Sequence, residues 1–136
     1  TCLMAWQTGK EGRVYAFEPD PKNIRFLKEN VARNGFGNIT VVEKAASDAA
    51  GASPLFVSGV HSAFGFDPFS SNIQSNAKGT MVESVRLDDF FANAAAKLDF
   101  IKMDAIGSEL KILRGMKYLL LRNKKIKIIS AFCPNV

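Results

Sequence analysis

The hydrophobic positions of this chain change period several times, and the changes divide it into helix-like and strand-like stretches. Residues 1–8 (TCLMAWQT) read as the tail of an apolar helix closed by Gly9 and Gly12. The run 13–18 (RVYAFE) is short, β-prone and mostly apolar, as a strand covered on both faces requires. A well-marked helix is predicted over 21–34: Asp20 can cap it, Pro21 suits its first position, Ile24, Leu27 and Val31 share a face, and Asn34-Gly35 closes it. Further short strands are predicted near 39–43, 55–57, 82–87, 98–103 and 126–132, with a second helix over 107–122 through Leu110, Leu113, Met116 and Leu120. Between them, 58–79 reads as a polar loop broken by Phe64, Phe66 and Phe69, and Asp88-Asp89 as a short acidic turn.

Strands alternating with helices of this length predict an α/β domain with a mostly parallel sheet and flanking helices. Ligands in such folds bind beyond the carboxyl ends of the strands. Glu18-Pro19, Ala46 to Asp48 and Asp104 to Gly107 therefore become the positions of chemical interest.

Composition narrows the class. The 136 residues are 47% hydrophobic and 23% charged, which supplies core material within an ordinary soluble composition. No apolar run approaches the roughly 18 residues of a membrane span. Two cysteines, Cys2 and Cys133, and the single His61 supply neither a zinc site nor a disulfide framework, and they fit a reduced, cytoplasmic setting. The chain opens on Thr1 in mid-pattern, so a missing leader is uninformative.

The charge is unevenly placed. Residues 1–109 carry 11 Lys and Arg against all 13 acids, a net of −2, whereas 110–136 carry 7 cations and no acid. Cations at a helix C-terminus complement its dipole, which accounts for Arg122, Lys124 and Lys125. No aromatic residues interleave with the bases as a single-strand groove would require, so no nucleic-acid partner is expected.

Each candidate residue has a structural alternative. Glu18 stands where nucleoside-binding α/β folds accept ribose hydroxyls, and an ionised carboxylate can take two such bonds. Its other explanation, favouring the following helix N-terminus, is weakened because Asp20 already fills the capping role. Asp104 ends its strand ahead of Gly107 and suits either a substrate-orienting or general-base role or a helix cap, as does Ser108 for the cap. Asp48 could meet an adenine amino group, although Ser47-Asp48 is also an ordinary turn. His61 beside Ser62 makes a weak nucleophile pair and reads first as a surface residue, with substrate contact as the minor reading.

Three segments together resemble a family. GRVYAFEPDPKNIRFLKENVARNG (12–35), VRLDDFF (85–91) and DFIKMDAIGSELKILRGMKYLL (99–120) are similar in order and spacing to the FkbM-type methyltransferases. The resemblance implies a Rossmann-like class I methyltransferase fold and S-adenosyl-L-methionine as cofactor. It implies that Glu18 holds the donor's ribose with Pro19 beside it, that Ser47 and Asp48 line the adenine, and that Asp104 sits at the methyl-transfer site. His61 and Ser62 become substrate-side candidates, and no metal is implied. The expected acceptor is a hydroxyl of a sugar, glycan or natural product.

Two departures accompany it. The family opens with a strand and a glycine-rich loop that are not seen before Thr1, and closes with a hairpin not seen after the last strand. Residues 1–136 are thus expected to be a single, partial methyltransferase domain, with self-association through exposed sheet edges. The family also usually has a glutamate where Ile106 stands. That substitution keeps a second class in view, a non-catalytic methyltransferase-like interaction module. A dinucleotide-dependent oxidoreductase lacks its G-x-G-x-x-G here, and a nucleic-acid methyltransferase lacks an N/D-P-P-Y/F segment after Asp104.

Overall fold

The structure is a computed structural model that describes residues 1–58, 61–64, 79–93 and 97–131, with backbone alone for 56–58 and 61–64. Its residue contacts divide the chain into two compact units, Thr1–Ala45 and Ala46–Val136.

The first unit is a strand–helix–strand element preceded by a helix. Helix α1 (Cys2–Thr8) ends at Gly9, whose φ of 68° suits a residue without a Cβ. The Asn38 side-chain amide donates to Ala5 O at 3.0 Å and Gly9 O at 2.9 Å, satisfying carbonyls that the helix end leaves open. Strand β1 (Val14–Phe17) leads to helix α2 (Pro21–Arg33) and returns as β2 (Ile39–Val42), which pairs with β1 in parallel from Val14–Ile39 to Phe17–Val42. The start of α2 follows its sequence: the Asp20 carboxylate accepts Lys22 N at 2.8 Å, and Pro21 holds the first helical position. Ala5, Val14, Ile24 and Val42 are buried here.

The second unit combines a four-stranded sheet with a parallel pair. The two-residue β3 (Ala45–Ala46), which straddles the division, β4 (Gly51–Ser58), β5 (His61–Phe64) and β6 (Thr80–Val85) take the order β3-β6-β4-β5. Strand β4 runs antiparallel to both neighbours and starts four residues earlier than its apolar centre suggests. Strand β5 lies within the stretch read as a loop, and Ser58 pairs directly with His61, a spacing that only an antiparallel reversal permits. Phe66 and Phe69 fall outside the described residues.

Helix α3 (Leu87–Phe90) takes the place of the acidic turn, and strand β7 (Phe100–Met103) follows. The single helix expected over 107–122 is two, α4 (Glu109–Gly115) and α5 (Lys117–Arg122), broken at Met116. The break is supported from a distance. The buried Asp88 carboxylate accepts Tyr118 N at 3.1 Å and Leu119 N at 2.8 Å, giving α5 the N-terminal cap its own sequence lacks. Strand β8 (Lys127–Ser130) then pairs with β7 in parallel and is exposed along its length. Among the described residues, Leu55, Met116 and Leu119 are the largest fully buried side chains. The described strands thus form two parallel pairs and one four-stranded sheet in which β4 runs antiparallel to β5 and β6, where the sequence pattern suggested a mostly parallel sheet.

Candidate functional site

Glu18 and Pro19 follow β1 directly in the first unit, at the carboxyl end of a parallel strand. The Glu18 amide donates to Val42 O at 3.1 Å, which extends the β1–β2 ladder and fixes where the side chain emerges. Glu18 Oε1 accepts Asp20 N at 2.9 Å. The two readings of Glu18 are therefore compatible, since one oxygen braces the helix entrance while a carboxylate has about four acceptor sites. Burial pushes the Glu18 carboxyl above its ordinary value, and the Asp20 charge adds to this; the hydrogen bonds from the Asp20 amide and Asn23 oppose it. A half-buried carboxylate of this kind gains from a further donor aimed at it.

In the second unit, Ser47 and Asp48 follow β3. Ser47 is buried, its amide donates to Val85 O at 3.0 Å, and its hydroxyl lies 3.2 Å from Asp48 Oδ1. Sequence reading overlooked what holds this segment. A Cβ on Gly115, the last residue of α4, would collide with the Ser47 carbonyl, so the absence of a side chain there lets helix and segment pack. Gly115 sits inside an apolar helical pattern, and such a glycine is a signal of close packing.

Asp104 ends β7 in the same unit. Its side chain is 62% exposed, with Oδ2 3.4 Å from Lys102 Nζ. The N-cap position of α4 falls on Ser108, four residues later, so the helix start is set beyond Asp104. The intervening turn is unusual: Ile106 has φ 40° and Gly107 φ 85°. A β-branched residue in the left-handed region is strained. Glu109, buried, reaches back to accept Ala105 N at 3.1 Å and braces that turn.

The structure brings Ser47 and Asp48 together by a hydrogen bond and puts Asp104 in their unit. Glu18 and Pro19 belong to the other unit. His61 and Ser62 have their backbone in β5, and their side chains lie outside the described residues. Among the described residues no cluster of His, Cys, Asp and Glu could hold a metal ion, and no helix is long and apolar enough to cross a membrane.

Comparison with known proteins bears on the whole chain. No curated protein matches it significantly. Among solved structures, a methyltransferase FkbM from Methylobacillus flagellatus KT is similar with 24% identity and a TM-score of 0.60, over 88% of this chain and 26% of that one. This chain therefore spans about a quarter of that protein, and at such identity the likeness concerns the fold. Residues 1–132 match the family described as the Methyltransferase FkbM domain. With the match running through nearly its whole length, the chain belongs to the FkbM methyltransferase family.

Proposed function

We propose that the chain forms part of an S-adenosyl-L-methionine-dependent O-methyltransferase acting on a hydroxyl of a sugar, glycan or natural product. The observation that carries the reading is Glu18, a half-buried carboxylate at the carboxyl end of a parallel strand, with one oxygen anchored by the Asp20 amide. That arrangement suits a ribose-bearing cofactor, whose hydroxyls would donate to the remaining acceptor sites of Glu18. Pro19 would border the ribose, and Ser47 and Asp48 would line the adenine. The fold that accompanies this reading is Rossmann-like.

The cofactor supplies a methyl group on a sulfonium, already a good leaving group. The chain's task is then alignment and proton removal. Asp104, exposed at the end of β7, would take the acceptor hydroxyl's proton, a contribution of roughly 10²–10⁴-fold. Lys102 Nζ lies 3.4 Å from its Oδ2. His61 and Ser62 remain the proposed substrate-side contacts.

A second reading, the non-catalytic interaction module, draws on Ile106. An apolar, strained residue stands in the turn beside Asp104 where the family usually has a glutamate. Calorimetric titration of S-adenosylhomocysteine, with NAD as control, separates the two. The enzyme reading expects binding of the first alone, weakened in Glu18→Ala and retained in Asp104→Asn, with turnover lost in both. A folded chain that binds neither ligand favours the module.

A further inference from the structure

Helices α4 and α5 have two unlike faces. Ile112, Gly115, Met116 and Leu119 turn inward and are buried. On the other side, Leu110 and Arg114 lie four residues apart in α4, and Lys117 and Leu121 four apart in α5, so each pair shares one face of its own helix. Leu110 is 57% exposed, Tyr118 60% and Leu121 62%. Between them a shallow apolar hollow is lined by Leu113, Arg114, Lys117, Leu120 and Leu121.

Exposed apolar residues grouped in this way mark an interaction surface. The charge identifies what covers it. Every charged residue from 110 onward is a cation. Helix-dipole compensation explains Arg122 but not Lys117, which occupies the first position of α5, where the dipole opposes a cation. A second copy placed face to face would bring Arg114 and Lys117 against like charge. Nucleic acid offers phosphates to the cations but little to Leu110, Leu113 and Leu121, and Tyr118 is the face's one aromatic. An acidic helix would cover a strip about 10 Å wide, whereas the cations continue past α5 to Lys124 and Lys125. A broad surface that is both anionic and able to receive apolar side chains satisfies all of these.

We propose that the α4–α5 face docks on an anionic lipid bilayer. Leu110, Tyr118 and Leu121 enter the interfacial layer, and Arg114, Lys117, Lys124 and Lys125 meet lipid phosphates. This is peripheral binding and rests on surface residues alone, independent of the proposed chemistry.

Co-sedimentation of the full chain with phosphatidylglycerol/phosphatidylcholine vesicles, and with pure phosphatidylcholine vesicles, tests it. Binding is expected to the anionic vesicles only and to weaken with salt. The double variant Arg114→Glu/Lys117→Glu should weaken it by about tenfold or more. Leu110→Ser/Leu121→Ser should also weaken it, at unchanged net charge. All four side chains lie on the surface, so circular dichroism and melting should match the parent and exclude misfolding as the cause. Absence of binding, equal binding to neutral vesicles, or indifference to both double variants would overturn the proposal. So would binding to soluble polyglutamate without binding to vesicles, which would point to an acidic protein partner.

Discussion

Glu18 joins two tasks in one side chain, and its protonation reports on both. Burial raises its carboxyl above the ordinary value of 4.5, against the opposing hydrogen bonds from the Asp20 amide and Asn23. The folded state therefore holds the proton more tightly than the unfolded chain does. Stability from this group is fully present below the ordinary value and is lost as pH rises through the folded one. Glu18→Gln keeps an oxygen for the Asp20 amide and removes the titration. It should thus gain melting temperature relative to the parent between about pH 4 and about pH 7. Thermal unfolding at the two pH values checks this, and parallel shifts in parent and variant would refute it. The position of Glu18 was legible because a β-prone run, an acid and a capped helix are local signals. The strain at Ile106 was not, because the left-handed conformation is one that sequence assigns to Gly or Asn.

Element ends marked by neighbouring residues are legible in the sequence, whereas a break that depends on a distant side chain is not. Helix α2 announces both its ends through Asp20-Pro21 and Asn34-Gly35, and β1 through its uninterrupted apolar run. The α4–α5 break depends on Asp88, some thirty residues before the amides it caps, and no periodicity in 107–122 records that contact. The start of β4 holds Gly51, Ser53 and Pro54, poor strand formers that pair because β6 lies alongside. The cap offers a direct test. Asp88→Ala leaves the Tyr118 and Leu119 amides without their acceptor and should cost about 2 kcal/mol. Asp88→Asn, which keeps one acceptor oxygen, should cost less. Chemical denaturation should show a lower midpoint at unchanged slope, and an unmoved midpoint for Asp88→Ala would remove the cap from the account of α5.

At the scale of the whole molecule, the parallel strand pairs bear on how the chain associates. Among the described residues β1 pairs only with β2, and β7 only with β8. Parallel ladders are ordinarily covered on both faces and flanked by further strands, and an isolated two-stranded ladder is marginal in water. Strand β8 is exposed throughout, with Ile128 and Ile129 on opposite faces, and Phe100 of β7 is also exposed. Unpaired amides and carbonyls beside exposed apolar side chains form a template for another chain. The 136-residue chain should therefore associate with rising concentration, read as growth of faster species in sedimentation velocity. Ile129→Lys, which charges the exposed strand, should reduce that growth. Arg114→Glu/Lys117→Glu should leave it unchanged, because these cations repel their own copy and the open edges lie elsewhere. A chain that sediments as one species at every concentration would show that these edges do not act as templates. Association relieved at Arg114 and Lys117 but not at β8 would transfer the contact to the α4–α5 face and count against its docking on a bilayer.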